Sequence, residues 1–252
     1  MIGNSYTAMT QRALRGILEA DQEVDGELVA YCPGGKTLAE HAQDPKVHAL
    51  LTKQGRWDVV VLQDQSQLPA YAMGGPRDEN LLKQLDAGAP VLIPRIRKAQ
   101  PKARIILFET WARHRAPDKA GTLKHFEGDP RKMQLALNAA YRRMVKNPGH
   151  WDFSKFVAIA PVGPAFEAWY EKFGYQDARR KLHFPDNSHP GPLGAFLAGA
   201  VLYETITGRP ASKIDYTGAL ARQPGGAILA KDLKHVAHQT CKARHAPKPA
   251  PR

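Results

Sequence analysis

The chain has 252 residues, 43% hydrophobic and 24% charged, with a formal net charge of +12. That size suits one globular domain of the α/β type. No run approaches the ~18 apolar residues that a membrane span needs, no signal peptide is visible, and the two cysteines, Cys32 and Cys241, are too few for a disulfide framework and read as separate thiols. A positive balance favours anionic partners in general. The basic residues are scattered, however, from Arg12 and Lys53 to Arg142 and Arg179, as on a solvated surface. With no recognised nucleic-acid motif beside them, nucleic acid is not expected as a partner.

In chain order, an apolar stub, Met1-Ile2, leads into Gly3-Asn4-Ser5-Tyr6-Thr7 and a helix from Thr10 to Ala20. Leu28 to Cys32 reads as a strand, followed by the Gly34-Gly35 turn. A helix from Thr37 to Thr52 opens on a capping-box pattern, Thr37 with Glu40 three residues on. Trp57 to Leu62 is a β-branched run of the kind buried on both faces of a parallel sheet, and Gln63 to Gln67 follow it. Arg104 to Phe108 and Phe156 to Ala160 read as further strands. Helices are expected at Asp129 to Val145, with Asp129 as N-cap and Pro130 at the first helical position, at Pro164 to Phe173, and at Leu193 to Thr207, where Gly208 is the stop. Beyond Pro210 the pattern is irregular, with one helix from Ala230 to Arg244 and then a basic, proline-rich tail. That tail, Lys242 to Arg252, reads as disordered.

Strands alternating with helices imply a parallel sheet covered on both faces. Reactive groups in such sheets gather at the carboxyl ends of the strands. Ser5, Gly35, the segment Gln63 to Gln67, and Thr110-Trp111 all stand at strand ends, and Asp186 and His189 lie in the loop before the last long helix. A free serine hydroxyl is a poor nucleophile and needs a base that a third group orients; Ser5, His189 and Asp186 are the parts of such a set. An isolated Gly-Asn-Ser-Tyr-Thr is usually a turn or a cap, and Asp-Asn-Ser-His-Pro alone is an ordinary loop. Their joint order is what points to a hydrolase.

Gly3-Asn4-Ser5, Gly34-Gly35-Lys36-Thr37, Gln63 to Gln67 and Asp186 to His189 resemble, in order and spacing, the four blocks of the SGNH/GDSL hydrolase superfamily, up to about Pro210. Gly194-Ala195-Phe196-Leu197-Ala198 with Gly208-Arg209-Pro210 looks like that family's closing helix. Asn4 stands where the commonest pattern has Asp, and Gln65-Ser66-Gln67-Leu68 where it has Gly-x-Asn-Asp. The resemblance implies a three-layer α/β/α, flavodoxin-like fold with a central parallel sheet of about five strands over residues 1–210, with 211–252 as an extension. It implies Ser5 as nucleophile, His189 as base and Asp186 as its orienting partner. The backbone N–H groups of Ser5 and Gly35 would form the oxyanion hole, with a side-chain amide from Gln67 or, as the alternative, Gln65. It implies no metal or cofactor, and as substrate a small acyl ester, such as an acetyl ester, of a sugar or another alcohol. Asn4 and Trp111 are weaker candidates for substrate contact. The competing class is a non-catalytic glycan- or protein-binding module on the same fold.

The absence of G-x-S-x-G argues against the α/β-hydrolase elbow, and no phosphate-binding glycine loop occurs. His235 and His238 are spaced to share a metal, but no cluster of Asp, Glu or Cys joins them, so a solvated face is the simpler reading. His41, His114 and His183 have places near the cleft without an obvious role. A central strand should precede Gly3, and only Met1-Ile2 stand there. We therefore expect Met1 to be an internal methionine of that strand and the natural chain to start earlier, with a secretion signal; a chain without one would be cytoplasmic.

Overall fold

Alternation of apolar strands with amphipathic stretches produces a mixed α/β fold, seen in a computed structural model that describes residues 1–52, 57–75, 78–115 and 121–245. Most of the tail expected to be disordered, 246–252, lies outside the described residues. The elements in order are α1 (Ser5–Ala20), α2 (Leu38–Gln43), α3 (Pro45–Thr52), β1 (Val59–Leu62), α4 (Gln67–Gly74), α5 (Glu79–Asp86), α6 (Ala89–Ala99), β2 (Arg104–Phe108), α7 (Pro130–Val145), β3 (Lys146–Asn147), β4 (Trp151–Asp152), β5 (Val157–Ala160), α8 (Val162–Phe173), α9 (Pro192–Thr207) and α10 (Gly226–His245).

The main sheet is parallel, in the order β1-β2-β5. Among the described residues it shows three strands where about five are expected. Leu28 to Cys32 does not form a strand: only Tyr31 pairs, as an isolated parallel bridge to Ile2, which in turn bridges Leu62. The Tyr31 amide donates to Met1 O and the Gly3 amide to Tyr31 O, so the pairing closes around one residue instead of running on as a ladder. The Met1 amino group donates to Val29 O at 2.6 Å.

The two-residue period of the strands sorts their side chains between two cores. Val61, Ile106, Phe108 and Ala160 pack with α1, α8, α9 and α10. Val60, Leu62, Ile105, Leu107 and Val157 pack with α2, α3, α6 and α7. Helix α9 is buried on nearly every side, as its continuous apolar sequence requires. Gly199 lets it cross α1 closely, because a Cβ there would stand 2.9 Å from the Leu14 amide. Neither Cys32 nor Cys241 is part of a disulfide.

Two further expectations are corrected locally. The helix expected from Thr37 to Thr52 is broken at Asp44, whose extended backbone (φ −80, ψ 118) is what a following proline imposes. Helix α1 begins at Ser5 itself, not at Thr10.

Candidate active site

Ser5 is the first residue of α1 because Asn4 caps that helix. Asn4 is extended, and its Oδ1 accepts the Tyr6 amide at 3.1 Å. The capping residue is itself held: its amide donates to Gln63 Oε1 at 2.9 Å and its side-chain amide to Lys36 O at 3.1 Å. Thr7 Oγ1 donates to the same Gln63 oxygen at 2.9 Å. A Cβ on Gly3 would lie 2.3 Å from Thr7 Oγ1 and 2.7 Å from Gln63 Oε1, so the packing of this turn demands glycine. His41, on α2, donates through Nε2 to Gly3 O at 2.8 Å. The start of α1 is thus tied to the end of β1, to the Gly34-Gly35 turn and to α2.

The loop before α9 is shaped by Asp186. One carboxylate oxygen accepts the amides of Ser188 and His189, each at 3.0 Å, an Asx-type turn. Asn187 takes the left-handed conformation (φ 60) that asparagine tolerates better than most residues. The other oxygen lies 2.6 Å from His189 Nδ1. His189 Nε2 lies 2.9 Å from Ser5 Oγ across 184 residues of sequence. A carboxylate at Nδ1 fixes the proton on that nitrogen and leaves Nε2 as an acceptor for the serine hydroxyl. Burial pushes the Asp186 carboxyl up, but the hydrogen bonds from the His189 ring and the two amides outweigh it and hold the group below its ordinary value. All three side chains are half-exposed, within reach of a substrate. The loop is braced from the segment after β2, where Trp111 Nε1 donates to Ser188 O and the His114 amide to Asn187 O, each at 3.0 Å.

The other expected residues fall as follows. Gly35 sits in an exposed turn with φ +73, a conformation that favours glycine. Gln65 Oε1 accepts the amides of Gln67 and Leu68 at 2.6 and 2.9 Å, and its NH2 donates to Gln67 Oε1 at 2.8 Å. Gln67 Nε2 donates to Thr122 Oγ1 at 3.1 Å. Trp111 does not line a cleft. It is 0% exposed and sandwiched between Tyr6 at 4.5 Å and Phe166 at 4.4 Å, the rings nearly parallel. Asn4 is 3% exposed and holds backbone with both polar atoms, so substrate contact gives way to capping there.

His183 is enclosed between the Tyr170 hydroxyl and Ala112 O, and burial drives its ring down to about 3. His114 lies against Tyr175 O at 3.3 Å. His235 is exposed, while His238 pairs with Glu204 at 3.0 Å, so the two do not converge. Among the described residues no group of three His, Cys, Asp or Glu is placed to hold a metal. A cavity of about 610 Å3, lined by His41, Val47, Leu51, Leu92, Arg95 and Lys98 among others, lies between α2, α3 and α6 and includes none of Ser5, Asp186 and His189. Volume alone would favour that cavity as a ligand site, and the hydrogen-bonded Ser5, His189 and Asp186 lie outside it.

Sequence reasoning assigned no individual role to Gln63, Tyr6, Ser66, Arg113 or Ser188. The place of Gln63 at the end of an apolar strand was the available signal. For Arg113 there was none, since it meets Tyr6 and Ser66 only through the fold.

No family model matches the chain, and no curated protein matches it. Solved structures do. A DUF4886 family protein from Bacteroides uniformis ATCC 8492 superposes with a TM-score of 0.75 at 18% identity, covering 97% of this chain and 94% of that one. The lipase Lip_vut3 from a goat rumen metagenome superposes with a TM-score of 0.50 at 13% identity, covering 82% of this chain and 95% of that one. At such identities the likeness is one of fold.

Proposed function

We propose that this chain is a serine-dependent hydrolase of carboxylic esters, of the SGNH/GDSL kind. The observation that carries the reading is the unbroken chain Ser5 Oγ to His189 Nε2 at 2.9 Å and His189 Nδ1 to Asp186 Oδ2 at 2.6 Å. Ser5 attacks the ester carbonyl while His189 takes its proton. The collapsing tetrahedral intermediate expels the alcohol, to which His189 returns the proton, leaving an acyl-enzyme. Water, deprotonated by the same imidazole, then releases the acid and restores Ser5. Asp186 keeps the ring in the required tautomer and stabilises its charged form.

Ser5 at the N-terminus of a 16-residue helix puts its own N–H and the positive end of the helix dipole beside the developing oxyanion. Gly35 N–H and an amide from Gln67 or Gln65 complete the proposed hole. In the same reading the sheet is an abbreviated five-stranded one, because Ile2 beside Leu62 and Tyr31 beside Ile2 add two parallel positions at its β1 edge. The substrate class, a small acyl group such as acetyl on a sugar or another alcohol, follows from the family resemblance, and the likeness to a protein named a lipase is consistent with ester chemistry.

The test is turnover of p-nitrophenyl acetate together with labelling by a fluorophosphonate. The wild-type protein is expected to do both. Ser5→Ala should abolish labelling and lower turnover by at least about 10³-fold, and Asp186→Asn should lower turnover by about 10⁴-fold, each with an unchanged circular dichroism spectrum. A wild-type protein that is folded but neither labelled nor active would make the fold a binding module instead.

A further inference from the structure

The base is tied to the nucleophile twice. Beside the Ser5–His189 contact runs a second one between their chain neighbours: the Tyr6 hydroxyl lies 2.8 Å from Ser188 Oγ. Tyr6 is 5% exposed. Its ring is clamped in the stack with Trp111 and Phe166, and it meets the His189 imidazole edge-on, centroids 5.3 Å apart at 72°.

A guanidinium only donates, and Arg113 Nη1 donates to the phenol oxygen and, at 2.8 Å, to Ser66 Oγ. The Ser66 hydroxyl also points at the phenol oxygen, at 3.5 Å. The phenol is thus anchored by Arg113 on one side and meets Ser188 on the other. Arg113 is itself 4% exposed and carries its charge 5.8 Å from the centre of the Tyr6 ring.

We propose that Tyr6 is a positioning residue: its phenol, oriented by Arg113, fixes Ser188 and so holds His189 at hydrogen-bonding distance from Ser5. The proposal deepens the hydrolase reading and rests on it for its kinetic consequence. A misplacement of about 1 Å in a reacting pair costs up to about 10²-fold in rate. Since in this proposal the phenol acts through Ser188 and not on the substrate, the loss belongs in kcat and not in KM.

The experiment is a double-mutant cycle in the full chain with Tyr6→Phe and Ser188→Ala, read on p-nitrophenyl acetate. Tyr6→Phe keeps the ring stack and removes only the hydroxyl. Each single change should lower kcat by about 10- to 100-fold with KM within about twofold, and the double variant should be no slower than the worse single one, because both remove the same bond. Ser188→Thr, which retains a hydroxyl, should recover most of the rate. Multiplicative losses in the double variant would overturn the proposal, as would a Tyr6→Phe enzyme with unchanged kcat. Should Tyr6→Phe fail to fold, the comparison of Ser188→Ala with Ser188→Thr makes the same distinction at a half-exposed position.

A second readout needs no activity. The His189 Nδ1 proton, bonded to Asp186, should give a far-downfield NMR resonance that broadens in Tyr6→Phe. A resonance that is unchanged there would also overturn the positioning role. Loss of the resonance with Tyr6→Phe in a protein without esterase activity would leave the positioning intact and refute only the hydrolase reading.

Discussion

Gln65 and Gln67 are two residues apart, yet they carry different duties. Gln65 Oε1 accepts the first amides of α4 and so acts as a cap, a role usually taken by shorter side chains. Gln67 contributes no cap: its NH2 donates to Thr122 Oγ1 and its Oε1 accepts from Gln65 Nε2, neutral bonds worth about 1 kcal/mol each. Turning its NH2 toward an oxyanion would exchange the neutral Thr122 bond for one to a charged oxygen, which is the stronger kind. Gln67→Ala is therefore expected to lower turnover by about 10²- to 10³-fold, as loss of an oxyanion donor does, with little change in melting temperature. Gln65→Ala is expected to act mainly on stability, by about 1 kcal/mol. Steady-state kinetics and thermal melts on the two variants decide it; the opposite pattern would assign the donor to Gln65.

At the scale of the element, α2 matters more than its six residues suggest. Its capping box is complete, with Glu40 N donating to Thr37 Oγ1 at 3.2 Å and Thr37 N to Glu40 Oε2 at 2.8 Å. The helix places His41 on the Gly3 carbonyl and its first amide, Leu38 N, on Asp64 Oδ1 at 2.8 Å. So short a helix owes its stability to such ends and to packing. Thr37→Ala should cost about 1 kcal/mol in urea denaturation; a loss below the error of the measurement would mean that packing alone holds α2. The neighbouring α6 shows why some elements escape a reading by pattern. Pro94 sits inside it and removes a backbone donor, yet Leu92, Ile93 and Ile96 are buried in the core and hold the helix together.

The whole molecule buries carboxyl groups under the sheet end that carries Ser5. Asp64 and Glu109 are both 0% exposed. Burial pushes Asp64 up to about 7, against the pull of the Leu38 and Gln65 amides, and pushes Glu109 up to about 7, against Arg244 and Arg142. A carboxyl raised on folding binds its proton more tightly in the native state. The stability it contributes is full below its ordinary value near 3.8 and is lost as the pH rises through about 7. The net charge of +12 acts the other way, since protonating surface carboxylates adds to self-repulsion at low pH. Comparing wild type with Asp64→Asn cancels that common background. Between pH 5 and 8 the melting temperature of the wild type should fall relative to that of Asp64→Asn, and parallel curves would show that Asp64 titrates at its ordinary value.

The sequence by itself determined what is local. β-branched runs marked β1 and β2, Asp129-Pro130 marked the start of α7, Gly208 marked the end of α9, and the spacing of Asp186 and His189 already permits a carboxylate to cap its own turn and reach the ring. These outcomes depend on near neighbours along the chain, where propensity and capping act. Only the tertiary structure decided which residues meet at long range. It brought Ser5 to His189 across 184 residues, put Arg113 on Tyr6 across 107, closed Trp111 into a stack of rings, and reduced the expected strand at Leu28 to Cys32 to a single bridge at Tyr31. Those results come from packing and from pairing between segments, which no window along the chain contains. For that reason the candidate reactive residues were legible in the sequence, whereas the network that holds them in place was not.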